Sequence, residues 1–274
     1  TLRYWIRKIG KEIEAEYSIP RYIHNSTLNL KLASQDEALE SINKVSQEIA
    51  SHIPESENIS MPPARIIRID LAVDIHAYEK VSGLLAAASQ FRIPKAKKPK
   101  LKIYPNETVE VSNSKTVFKA YDKALEVLEN NTLSDLTKEE KELVKNAKDN
   151  GRVRLEYVFK TEGGYSKRFI EEDCLGNLSK KLKEGFSSDV ITIGGIYKLQ
   201  ETIDSLDIAE NTRNSFYMLA VRYMTIGEKN TKAKMSNSFY ELRNKIREHG
   251  INLNAFSDFE GEIDLTPIFE HLSH

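Results

Sequence analysis

Tyr121, in the phrase Ala120-Tyr121-Asp122-Lys123, falls between two segments that each place acids on one face of an expected strand. Side chains alternate along a strand. In Arg68 to His76 this puts Ile69, Leu71, Val73 and Ile75 on an apolar side and Arg68, Asp70, Asp74 and His76 on the other. Arg152 to Lys160 repeats the arrangement, with Val153, Leu155, Tyr157 and Phe159 opposite Arg152, Arg154, Glu156 and Lys160. Glu14, Asp70 and Glu156, if the sheet gathers them, supply hard oxygen ligands suited to Mg2+ or Mn2+. A phenol beside such acids suits attack on a phosphodiester, because a phosphotyrosine ester conserves bond energy and lets a broken strand be resealed without ATP. An ordinary phenol has a pKa of about 10, so a nearby cation is expected: the metal, Lys119 or Lys123. Each residue taken singly also has a plain structural reading. A strand-end tyrosine packs, an Arg68–Asp70 contact at a surface is worth under ~1 kcal/mol, and His76 has no partner histidine at metal-ligand spacing.

The elements that would position these residues are legible in turn. Leu2 to Arg7 and Glu12 to Tyr17 alternate on either side of Gly10 and read as a hairpin, with Glu12, Glu14 and Glu16 on one face. From Gln35 the spacing becomes helical, with Leu39, Ile42, Val45 and Ile49 in one stripe, closed by Pro54 and a polar segment. The Asp70 strand follows, then a short apolar helix through Val81, Leu84, Leu85 and Ala88. A lysine-rich loop (Lys95, Lys97, Lys98, Lys100, Lys102) leads to strands near Val109 and Val117–Tyr121. Thr137 and Glu140 match a capping box, and Asn150-Gly151 turns the chain into the Glu156 strand. This order predicts an α+β fold, an antiparallel sheet with helices on one face and a polar, uncovered face. Beyond about residue 165 the pattern turns helical, giving an expected division into residues 1–165 and 166–274. Thr212–Met224 and Ser236–Glu248 are expected helices joined by a basic polar loop, helix-turn-helix-like, with Gly250 as a C-terminal stop.

Composition narrows the class. Forty Lys and Arg offset 41 Asp and Glu, which argues against indiscriminate coating of nucleic acid and leaves local basic clusters as the candidate contacts. Cys174 is the sole cysteine, excluding an intrachain disulfide and a multi-cysteine zinc site. No apolar stretch approaches the ~20 residues needed to span a bilayer, and the start does not resemble a signal peptide. A folded protein without a membrane partner, in a reducing cytoplasm, is the expectation. The chain does not begin with methionine, which leaves a preceding strand open.

At these phrases the sequence resembles rolling-circle replication initiators, in particular the gene II-type proteins of filamentous phages and their plasmid relatives. The family's Arg-x-Asp strand is matched by Arg68-Ile69-Asp70, with Asp74 as the second aspartate of plasmid relatives. Tyr-x-Lys-x-x-Glu is matched by Tyr121 to Glu126, and Arg-x-Glu by Arg154-Leu155-Glu156, in the same order. Weaker echoes lie at Ser18, His24-Asn25 and Ser236 to Ile251. The resemblance implies an HUH-endonuclease-like sheet and an origin-specific nick in which Tyr121 becomes linked to a 5′ phosphate, leaving a 3′ hydroxyl for a polymerase. It implies origin DNA as partner, with a host helicase and polymerase in a bacterial cytoplasm, and later resealing of the displaced strand.

The paired-histidine motif of the broader group is absent, so the resemblance implies acidic metal ligands, Glu14, Asp70 and Glu156, with Glu12, Asp74 and His76 in reserve. Lys123 joins Tyr121 as a catalytic candidate. Arg68, Arg154, Lys97, Lys98 and Lys119 are candidate DNA contacts, and Arg213, Arg243 and Arg247 candidates for duplex recognition. The competing readings are a conjugative relaxase or transposase with the same chemistry, and a non-enzymatic DNA-binding repressor.

Overall fold

The computed structural model describes residues 3–7, 12–26, 28–52, 66–96, 99–104, 107–165, 168–235 and 237–272. In chain order the elements are β1 (Arg3–Arg7), β2 (Glu12–Glu16), α1 (Ile19–His24), α2 (Gln35–His52), β3 (Ile66–His76), α3 (Val81–Ala88), β4 (Lys100–Tyr104) and β5 (Thr108–Ser112). They continue with β6 (Thr116–Asp122), α4 (Lys123–Asn130), α5 (Lys138–Asp149), β7 (Arg152–Tyr165), α6 (Arg168–Gly185), β8 (Val190–Ile193) and α7 (Ile196–Asp204). The last are α8 (Glu210–Met235), α9 (Asn237–Glu248), β9 (Gly261–Asp264) and α10 (Thr266–His271).

Five strands form one antiparallel sheet in the order β3-β7-β6-β5-β4. The two long strands β3 and β7 lie side by side, and β7 starts beside the end of β3 where Gly151 turns the chain out of α5 with φ of 55°. Gly151 O and Asn150 O accept from the amides of Ala77 and Tyr78. A Cβ at Gly151 would sit 2.2 Å from Tyr78 O, so both the backbone angle and the close approach require glycine. The α+β class and the apolar side of each strand follow the expected alternation. Val73, Phe118, Ala120, Val153, Leu155 and Tyr157 share a core with α3, α6 and aromatic residues such as Phe91, which stacks on Phe118 at 3.9 Å.

Four expectations are corrected, the last of them concerning the polar face. The lysine-rich stretch expected as a loop is in part β4, where Leu101 and Ile103 pack toward the core between exposed lysines. The covering layer does not stop at residue 165: α6, β8, β9 and α10 bring Leu178, Leu182, Ile191, Ile193, Ile263 and Phe269 into the same core. The basic loop expected between the two late helices is helical, since α8 runs unbroken from Glu210 to Met235. Its buried Thr231 and Met235 hold that final stretch in place. Helices α7, α8 and α9 share a separate core around Phe216, Leu219, Phe239 and Ile246. No helix among the described residues is long and apolar enough to cross a membrane.

The polar face of the sheet is not bare either. Helices α4 and α5 pack together through Ala124, Val127, Val144 and Ala147, and they bury Leu28 and Leu30 between them. The capping box at Thr137 and Glu140 starts α5, as expected, and Glu140 also accepts from Ser26 Oγ at 3.2 Å.

Candidate active site

Register decides which polar side chains meet. Asp74 stands opposite Arg154 and Arg154 opposite Tyr121, forming one row across β3, β7 and β6. The adjacent row runs Ala72, Glu156, Lys119, Glu110, Lys102. Tyr121 Oη donates to Glu156 Oε1 at 2.5 Å, a diagonal contact between the two rows. Tyr121 is 8% exposed. Burial first, and the Glu156 carboxylate second, push its phenol well above the ordinary value of 10. The sequence led us to expect cations that lower it; in the structure its resting state is the neutral phenol, with a proton acceptor already in place.

The strand-to-helix switch after Tyr121 is made by Asp122, whose carboxylate accepts from the amides of Ala124 and Leu125 and so caps α4. This sets Lys123 at the first helical position, 1% exposed, with Nζ on Glu126 Oε2 at 2.6 Å and 5.6 Å from the Tyr121 ring centroid. Burial lowers the Lys123 pKa, with the Arg154 charge adding to the effect. Lys123 is thus near the phenol but committed to Glu126. The Tyr-x-Lys-x-x-Glu spacing held that signal, because residues three apart share a helix face.

Arg154 is fully buried. Nε and Nη2 grip Asp74 at 2.6 and 2.9 Å, and Nη1 donates to Asn29 O at 2.8 Å. As placed it orders Asp74 and the sheet rather than facing solvent as a DNA contact, and Asp74 is engaged rather than held in reserve. Arg152, which we had not singled out as a site residue, donates from Nη1 to Leu30 O at 3.0 Å and lies 3.9 Å from Asp74 Oδ2. Nothing in its own strand reveals this, because the partner is a backbone carbonyl more than a hundred residues away.

The metal set is not gathered. Asp70 pairs with Val158, not Glu156, and both its oxygens are held by Arg68 at 2.7 and 2.5 Å. Glu14 sits on the separate β1–β2 hairpin, whose Glu16 approaches Arg68 Nη1 at 3.7 Å. Among the described residues no three acid, histidine or cysteine side chains converge as metal ligands. The donor set in this arrangement therefore does not fit a Mg2+ or Mn2+ centre, and no step below is routed through one. The side chain of Glu12 and residues Lys97 and Lys98 lie outside the described residues; His76 is exposed, 6.4 Å from the Tyr78 ring. Lys119 stands half-buried between Glu110 and Glu156.

Arg243 and Arg247 lie on α9, away from the sheet rows, with Arg243 over the Phe239 ring at 5.8 Å and Arg247 on Asn244 Oδ1 at 3.3 Å. Arg213 donates to Leu206 O at 2.9 Å. No protein-family model matches the chain, and no curated protein matches it significantly.

Proposed function

We propose that the chain is a rolling-circle-type DNA nicking and joining enzyme with Tyr121 as its nucleophile. The observation that carries the reading is the Tyr121–Glu156 hydrogen bond beside the Arg154–Asp74 pair. A phenol becomes a competent nucleophile when its proton has somewhere to go as the bond to phosphorus forms, and Glu156 provides that place. In the step, Tyr121 Oη bonds to phosphorus, its proton passes to Glu156, and the bond to the 3′ oxygen breaks. That oxygen takes a proton from solvent and leaves as the 3′ hydroxyl. Reversal with a new 3′ hydroxyl returns the proton to Tyr121 and seals the strand. An HUH-like sheet, origin DNA as substrate and a bacterial host with its helicase and polymerase belong to the same proposal.

Dependence on Mg2+ or Mn2+ is a separate proposal that rests on acid type alone and requires Asp70 to leave Arg68 and Glu156 to leave Tyr121; activity that survives EDTA would count against it.

The test is incubation with a 3′-labelled pool of random single-stranded oligonucleotides and Mn2+, followed by a denaturing gel. A labelled covalent adduct is expected, with the linked peptide containing Tyr121 by mass spectrometry. Tyr121→Phe is expected to abolish it. An undiminished adduct in Tyr121→Phe rejects the assignment, and sequencing the captured strands separates one preferred origin from transfer-origin or element-end preferences.

A further inference from the structure

The proposed reaction brings a polymer phosphate to Tyr121, yet that side chain is almost closed to solvent and its neighbour Arg154 is fully so. Part of this face must move before DNA can react. Residues 28–30 lie on it. Asn29 O and Leu30 O take donors from Arg154 and Arg152, while Leu28 and Leu30 are sunk against α4 and α5.

Two features set this contact apart from permanent packing. Arg152 Nε and Asn29 Oδ1 are both buried and have no hydrogen-bond partner, leaving a donor and an acceptor unused at one contact. Folded interiors pair the great majority of such atoms. Moreover, a neutral carbonyl is a weaker acceptor for guanidinium than a phosphate oxygen, so the cap can be exchanged for substrate.

We infer that residues 28–30 are a latch whose release bares Arg152 and Arg154 as a cradle for the phosphate that Tyr121 attacks. The inference rests on the nucleophile assignment above. Once the latch lifts, Arg154 keeps Nε and Nη2 on Asp74 and frees Nη1, while Arg152 offers Nη1 and Nε. Arg154 thus stays fixed in direction and Arg152 adds the donors nearest the opened surface. With the latch closed in the resting chain, apparent affinity for nucleic acid is reduced by the fraction of molecules that are open.

Binding of a fluorescently labelled single-stranded oligonucleotide of mixed sequence, read by anisotropy, tests this directly. Leu30→Ala weakens the anchor and is expected to tighten binding about fivefold. Asn29→Asp sets a carboxylate against the two guanidiniums, holds the latch down, and is expected to weaken binding about fivefold. Direct repulsion of DNA by the new charge would give the same penalty in any background. The latch instead predicts that the penalty shrinks to under about twofold in the Leu30→Ala background, as a double-mutant cycle reports. Hydrogen exchange at residues 28–30 is expected to quicken when the oligonucleotide binds, and Arg152→Gln to weaken binding in every background. If Leu30→Ala fails to fold, Leu30→Val takes its place with a smaller effect in the same direction.

Unchanged affinity on loosening Leu30, an Asn29→Asp penalty that persists undiminished, or no binding by any variant overturns the latch. Adduct formation at Tyr121 is scored in the same samples. Loss of the adduct with the latch effects intact counts against the reaction and leaves the latch standing.

Discussion

Strand β3 carries the same ion-pair chemistry twice, four residues apart, in two different environments. Arg68 and Asp70 close a bidentate pair on one strand at the sheet edge, with side chains 45% and 36% exposed. Asp74 closes an equally bidentate pair with Arg154, whose side chain is 0% exposed and which comes from the neighbouring strand. In water the attraction is screened and offset by lost side-chain freedom. Beneath α4, α5 and residues 28–30 little solvent reaches the pair, so the loss of either partner is poorly compensated. Position in the sheet, not residue type, separates an ornamental pair from one that holds strands in register beside the nucleophile.

Removing one buried partner has the largest expected effect. Arg154→Ala leaves Asp74 beneath the covering segment with only the more distant Arg152, 3.9 Å away, as counter-ion, and a loss of about 3–5 kcal/mol is expected in urea unfolding. A loss below about 1 kcal/mol would put the two pairs in the same class. Tyr121→Phe is next: it leaves the Glu156 carboxylate without the phenol, and about 1–3 kcal/mol is expected by the same assay. Because burial and Glu156 raise the folded-state phenol above its unfolded value of about 10, the stability it contributes is complete below about pH 10 and is lost as pH climbs toward the folded value. Glu156→Gln removes the second cause, so ultraviolet titration should show Tyr121 ionising at lower pH than in the parent chain. The smallest effect belongs to the exposed pair, where Arg68→Ala is expected to cost under about 1 kcal/mol.

The sequence revealed most where a rule acts locally. Period-two alternation placed Ile69, Leu71 and Val73 on one face and Asp70 and Asp74 on the other without any knowledge of neighbours, and the box at Thr137 and Glu140 announced its own helix. Pairing between distant strands is not written in either strand alone. Glu156 was expected beside Asp70, but the register sets Asp70 against Val158 and leaves Glu156 to Tyr121. The expected loop before α9 failed for a related reason: Gly227, Asn230 and Thr231 have weak helix propensity, but the lysines, Glu228 and Ala233 around them favour a helix and burial of Thr231 and Met235 holds it. Arg152 and Arg154 end on backbone carbonyls of residues 29 and 30, acceptors that carry no sequence signature.

Gly151 gives this register a further meaning. By tying the start of β7 to the end of β3 it determines which residue faces Asp74. A slip of two residues keeps every apolar side chain on the core face, so hydrophobic patterning alone cannot reject it. Advancing β7 by that step would set Glu156 directly against Asp74, two like charges across one rung. The turn and the Arg154 pair therefore both favour the observed alignment over that slip. The same Arg154 that stands opposite the tyrosine also penalises this mispairing of β3 with β7.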